Sequence, residues 1–109
     1  MNIKIDGLDI EYTEVGSGTP VLLLHGWGSS FDVYNGVINT LKNRCRVVAV
    51  NFPSCGNSQS MESPWYLDDY CDFVLKFMKA VNLENPSVLS FINIILTVIK
   101  ISFKSKRRE

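Results

Sequence analysis

Two short apolar runs, Val21-Leu22-Leu23-Leu24 and Val47-Val48-Ala49-Val50, limit what this chain can fold into more than any other feature. A strand with one face in water alternates polar and apolar residues, so a run with no polar member marks a strand buried on both faces. In one small domain that means a parallel sheet with helices packed against it. The flanking sequence supplies the helices. Phe31, Tyr34, Val37, Ile38 and Leu41 recur at helical spacing, with Ser29 or Ser30 available as a cap and Gly36 a slight weakness. Leu67, Tyr70, Cys71, Val74, Phe77, Met78 and Val81 make one face of a second helix, with Asp68, Asp69 and Asp72 early and Lys76 and Lys79 late, as the helix dipole favours.

Ahead of the first run, Ile3 to Ile5 and Leu8 to Val15 alternate with period two around Asp6-Gly7, a two-residue turn matched to strand twist, which predicts a hairpin. Gly16 to Pro20 breaks the pattern, the first buried strand is expected to end at His25, and Phe52 to Pro64 reads as a loop. Asn82 to Pro86 closes the second helix, and Pro86-Ser87-Val88-Leu89 opens like a third parallel strand. Hairpin, strand, helix, strand, helix, strand is an α/β order, and 109 residues hold one domain at most.

Composition removes several function classes. With 46% hydrophobic and 20% charged residues, seven Gly and four Pro, the chain is globular, neither collagenous nor disordered. Its formal net charge is zero, but Lys100, Lys104, Lys106, Arg107 and Arg108 fall together at the end. A tail that short is no groove-lining surface, so no nucleic-acid partner is expected. Cys45, Cys55 and Cys71 stand far apart with one histidine in the chain, which suggests neither disulfides nor a metal site. The first fifteen residues lack the apolar core of a signal peptide, and no N-x-S/T sequon occurs. A cytoplasmic location is the expectation.

His25-Gly26-Trp27-Gly28 follows a buried strand and precedes a helix, where glycines let backbone N–H groups turn toward negative charge. Here the chain resembles the α/β-hydrolase family, whose H-G-x-G loop supplies one donor of the oxyanion hole. The resemblance implies that Trp27 N–H is that donor, with His25, Gly26 and Gly28 shaping its loop. It extends to Asn51-Phe52-Pro53-Ser54-Cys55-Gly56-Asn57-Ser58, similar to the family's D-x-P-G-x-G-x-S loop, in which Asn51, Pro53, Gly56 and Ser58 hold motif positions. Asn51 stands where the family usually has Asp and Ser54 where it has Gly, which puts a structural hydrogen bond and a tight turn at issue. The resemblance covers residues 1–89. The implied fold is the N-terminal part of an α/β-hydrolase sheet, and the implied activity is hydrolysis of a small ester, amide or other carbonyl substrate, without metal or organic cofactor.

The rest of the catalytic set is not in the sequence. The family's nucleophile sits on a G-x-S-x-G elbow expected just after Leu89, where small residues relieve a strained turn. Ser90 falls there, but Val88 and Ile92 hold the two flanking positions and β-branched side chains would crowd the turn. The resemblance also implies a downstream acid and histidine and a full sheet, which need at least about 200 residues. His25 is read as structural because the family's base comes late in the chain. Cys55 has no second histidine to activate it, and the three aspartates suit a solvated first helical turn. Trp27 and Phe52 suit an acyl pocket or the core equally. Without its nucleophile, acid and base the isolated chain is expected to be inactive.

Residues 90–109 change character, with a β-branched run through Phe103 that does not continue the pattern. Intact elements followed by such a switch resemble a shifted reading frame or truncated gene, and the sheet edge beyond the third parallel strand is expected to stand unpaired and to promote self-association. Two other functions compete. Val88 to Phe103 gives 16 residues interrupted by Lys100, short of the roughly 20 of a membrane span, but with Lys106-Arg107-Arg108 it outlines a membrane-associated or binding protein. Gly26-x-Gly28 between strand and helix outlines a nucleotide-binding module. Against that module, Phe31 replaces the third glycine of G-x-G-x-x-G, and Asn51 rather than an acid ends the next strand.

Overall fold

A computed structural model describes residues 1–90. It begins with β1 (Asn2–Ile5) and β2 (Leu8–Val15), an antiparallel pair in register Ile5↔Leu8. Asp6 (φ 50°) and Gly7 (φ 83°) are both left-handed, the conformation that a two-residue turn of matching twist requires. β3 (Thr19–Leu24) and β4 (Cys45–Val50) follow with a short 3₁₀ turn, Phe31–Tyr34, and helix α1 (Asn35–Leu41) between them. After the long loop come α2 (Leu67–Ala80) and β5 (Ser87–Ser90).

The five strands lie in the order β1-β2-β4-β3-β5, with β3 parallel to both β4 and β5 and β2 antiparallel to β4. The chain therefore crosses from β3 to β4 on one side and returns past β3 to β5 on the other. Register explains the two apolar runs. Leu22 and Leu24 pair with Val48 and Val50, and these four join Val74 and Phe77 of α2 in one core layer. Val21 and Leu23 pair with Val47 and Ala49, and these join Tyr34 and Ile38 in the other. Each strand thus carries an apolar side chain to both faces, and the helices cover opposite sides of the sheet.

Three details differ from the sequence reading. β3 ends at Leu24, one residue before His25. The segment from Phe31 to Leu41 is a 3₁₀ turn running into a helix rather than one helix, because Ser30 Oγ accepts from Asp32 N–H at 3.3 Å and Asn51 Oδ1 takes the Phe31 N–H at 2.7 Å. On α2 the buried face is wider than the sequence stripe, taking in Phe73 and Leu75. The tail read from the sequence lies outside the described residues apart from Ser90, which belongs to β5. Among the described residues no helix is long and apolar enough to cross a membrane.

Candidate active site

The C-terminal ends of β3, β4 and β5 lie together because the three strands are parallel. The crossover from β3 runs to β4 on one side and the next, from β4, returns past β3 to β5 on the other, and the crevice at such a reversal is where open α/β sheets bind ligands. The loops leaving β3 and β4 at this end are the two motif loops.

Each loop is pinned to the other by a side chain. His25, 1% exposed, directs Nδ1 to Gly26 O at 2.7 Å, while its Nε2 accepts the Phe52 N–H at 3.0 Å. The Phe52 N–H can only donate, so Nε2 is unprotonated and Nδ1 carries the hydrogen. Burial lowers the pKa of this imidazole, and the bond to Gly26 partly opposes the shift. Both ring nitrogens are engaged by backbone, which leaves no lone pair to take a proton from a nucleophile. Gly26 O also receives Ser29 N–H at 3.3 Å, and Gly28 adopts φ 69°, a conformation that L side chains rarely take.

The return connection comes from Asn51, also 1% exposed. Its Oδ1 accepts the Phe31 N–H at 2.7 Å, and its Nδ2 donates to Glu11 Oε1 on β2 at 2.7 Å. The hydrogen bond put at issue by Asn in place of Asp is made. Ser58 Oγ donates to Asn51 O at 2.8 Å and accepts from Glu11 N–H at 2.9 Å. Gly56 (φ 51°) packs so closely that a Cβ there would press into the Asn51 amide and come within 3.0 Å of Glu11 Oε1. The turn itself also forms, with Ser54 held at φ 71° where glycine would carry no steric cost.

Aromatic rings surround this junction. Phe52 is buried at 1% exposure and packs edge-on to His25 (5.1 Å between centroids) and Tyr70 (5.6 Å). Trp27 is 46% exposed and stands edge-on to Tyr70 at 4.6 Å. The two rings that the sequence treated alike are thus separate cases: Phe52 is core, and Trp27 presents an indole to solvent at the strand ends. Cys55 packs against the same core, its thiol pKa pushed up by burial despite the Gly28 N–H that faces the sulfur. A raised pKa and a histidine with both nitrogens occupied are the reverse of what thiolate catalysis needs.

Ser90 is the last residue of β5 and pairs with Leu24, so its backbone is that of a strand. Tyr34 reaches this corner, donating from its hydroxyl to Leu24 O at 2.8 Å, with Leu89 O at 3.5 Å. Among the described residues no group of three or more His, Cys, Asp or Glu could hold a metal. A cavity of about 400 Å³ lies where Asp6 and Leu8 of the hairpin face Met61, Glu62 and Trp65, and none of His25, Trp27, Asn51 and Phe52 lines it. Sequence reading missed Glu11, Asn57 and Tyr70. The sequence signal for Glu11 was faint: an acid beside Ile10 in the alternation of residues 8–15, like Asp9 and Glu14 on the same strand.

Sheet order, crossover pattern and paired motif loops define an α/β-hydrolase-type domain. The chain belongs to the alpha/beta hydrolase fold family, whose model matches residues 19–90. Among its relatives is a pimeloyl-[acyl-carrier protein] methyl ester esterase of Methylococcus capsulatus, 36% identical over 70 residues, covering 64% of this chain and 26% of that protein. A haloalkane dehalogenase of Agrobacterium fabrum is 28% identical over 83 residues, covering 76% of this chain and 27% of the relative. In three dimensions an α/β-hydrolase fold protein from Burkholderia ambifaria superposes with a TM-score of 0.88 at 22% identity, over 97% of this chain and 39% of that one. The chain thus spans about a quarter of the length of these two curated relatives.

Proposed function

We propose that the loop of residues 25–28 is the oxyanion-binding half of a serine-type hydrolase site for a small ester, amide or other carbonyl substrate, with Trp27 N–H as one donor to the tetrahedral oxyanion. The observation that carries this is the double pinning of the loop at the C-terminal ends of the parallel strands, by His25 to Phe52 N–H and by Asn51 to Phe31 N–H. A preorganised donor is what oxyanion stabilisation requires, because donors that are already oriented need no rearrangement as charge develops. The esterase relative supports the choice of an ester among the family's substrates. A polypeptide of these 109 residues has no elbow serine and no second histidine, so it binds an oxyanion without turning over an ester.

The test is a titration of the isotopically labelled chain with phenylphosphonate, a tetrahedral anion, together with an activated-ester assay. Amide shifts centred on Trp27 and Gly28 are expected, with hydrolysis at the background rate and no labelling by a fluorophosphonate. Perturbations that avoid residues 25–30 would overturn the binding half, and stoichiometric fluorophosphonate labelling would overturn the inactivity.

A further inference from the structure

We infer that Glu11 on β2 is a positioning residue for the oxyanion loop, acting through Asn51 to fix where that loop enters the 3₁₀ turn at Phe31. The inference rests on the reading of residues 25–28 as that loop.

The Asn51 side chain lies between two partners of opposite demand. The Phe31 N–H can only donate, so it requires Oδ1, and an ionised Glu11 carboxylate can only accept, so it requires Nδ2. The carboxylate therefore sets the amide orientation, which a free amide would choose between two flips. Glu11 is itself held from the second motif loop: Asn57 N–H donates to Oε1 at 2.9 Å and Asn57 Nδ2 to Oε2 at 3.1 Å. Its main chain takes part too, since Asn51 N–H donates to Glu11 O at 3.0 Å and Glu11 N–H to Ser58 Oγ at 2.9 Å. Gly56 is needed because any side chain there would wedge the amide away from the carboxylate. A continuous path thus runs from β2 through Asn51 to the start of the turn that follows Trp27.

The arrangement also explains why Asn rather than Asp suits position 51. An aspartate could accept the Phe31 N–H, but its second oxygen would meet Glu11 Oε1 at the present 2.7 Å, acceptor against acceptor. Asn51 and Glu11 form one unit, in which a donor on one replaces a repulsion.

Hydrogen bonds from Asn57, first from its backbone and then from its side chain, and one from Asn51 hold the Glu11 carboxyl below its ordinary pKa, against the opposing effect of burial. The charged group acting on it is the α-amino group of Met1, which donates to Tyr12 O at 3.0 Å; Asn51, Asn57 and Ser58 bring no charge. Protonation turns one acceptor oxygen into a donor and loosens the unit, so the positioning fades as pH falls through the depressed pKa.

The experiment follows the Phe31 and Trp27 amides of the full chain by NMR in Glu11→Gln, Glu11→Ala, Asn51→Asp and the Glu11→Gln/Asn51→Asp pair. Glu11→Ala is expected to move both amides and to raise their exchange by about tenfold or more. Glu11→Gln keeps an acceptor for Asn57 N–H, so it is expected to hold both shifts at neutral pH and to remove the part of their acid change that follows the Glu11 carboxyl, leaving the part that follows His25. Asn51→Asp alone is expected to disturb both amides. The double variant removes the like charge that faces the introduced carboxylate, so it is expected to be less disturbed than Asn51→Asp alone, a coupling that a double-mutant cycle isolates. Full restoration is not expected, because a glutamine Nε2 in the place of Oε1 would meet the donating Asn57 N–H. If Glu11→Ala does not fold, the Asn51→Asp disturbance and its lessening in the double variant decide. Unchanged Phe31 and Trp27 shifts in a folded Glu11→Ala chain, or a double variant as disturbed as Asn51→Asp alone, would overturn the inference. Neither readout involves oxyanion binding, so this result and that of the phosphonate titration stand or fall separately.

Discussion

The single histidine makes one residue-scale expectation unusually clean. His25 is neutral with Nδ1 protonated, and charging it would place an N–H on Nε2 against the donating Phe52 N–H. Its folded-state pKa is depressed below the ordinary 6.5, so the unfolded chain binds the proton more readily. The stability that this contact contributes is complete above the unfolded value and is lost as pH falls through the folded one. Thermal midpoints should therefore drop on acidification below about pH 6.5, while NMR of the imidazole still shows a neutral ring. A His25 that titrates at or above 6.5 in the folded chain would contradict the assignment. Ser54 gives a second expectation. At φ 71° an L residue carries a backbone cost of about 1–2 kcal/mol that glycine escapes, and Ser54→Gly sacrifices only an exposed bond to Met61 Sδ. The substitution should raise the urea midpoint by the equivalent of about 1 kcal/mol. Both positions show how far single residues could be read. The sequence marked Ser54 as a departure from the family pattern, but only the structure shows that the loop keeps the left-handed turn anyway. The sequence also suggested a structural His25, but its two backbone partners lie on different loops that no local pattern links.

Legibility at the scale of elements follows how local each determinant is. The hairpin was readable because Asp6-Gly7 specifies its own turn, and β3 and β4 because their apolar runs are unbroken. The split at Phe31–Tyr34 was not readable, since the bond that shapes it comes from Asn51, twenty residues on. The start of α2 at Leu67 was readable, and the structure adds how it is held: Tyr66 N–H is taken by Asp69 Oδ2 at 2.8 Å, a specific role for one of three aspartates that the sequence reading explained by the helix dipole alone. The end of α2, by contrast, is fixed from afar. Arg46 on β4 pairs with Glu14 on β2 through Nε at 2.8 Å and Nη2 at 3.3 Å, and it also donates from Nη2 to Val81 O at 2.6 Å and from Nη1 to Asn82 O at 2.9 Å. One guanidinium thus ties two strands to the carbonyls that close a helix, a geometry that an ammonium cannot reproduce. Arg46→Lys should cost about 1–2 kcal/mol in urea unfolding and speed amide exchange near Leu83, whose N–H bonds Met78 O. An unchanged midpoint would mean that the clamp adds nothing to α2.

At the scale of the whole molecule, the sheet order places β5 at the margin of the described residues, with β3 on its inner side. Leu89 on this strand is 44% exposed, and among the described residues no strand lies beyond it. Backbone donors and acceptors along such an edge, next to an exposed leucine, offer a template for a further strand. We propose that a polypeptide of these 109 residues meets this demand by self-association. Sedimentation velocity from about 10 to about 200 μM should show a rising weight-average mass, and Leu89→Lys, which puts a charge at the edge without altering β3 or either helix layer, should lower it. A wild-type chain that stays monomeric across the range would show that the edge is already covered. A Leu89→Lys chain that associates as readily as wild type would move the contact away from β5. The same edge bears on the proposed half-site, because β5 brings Ser90 up beside Leu24 at the end where the Trp27 loop leaves the sheet. Whatever strand covers it adjoins the crevice, so the association state and the phosphonate titration are best measured on the same samples.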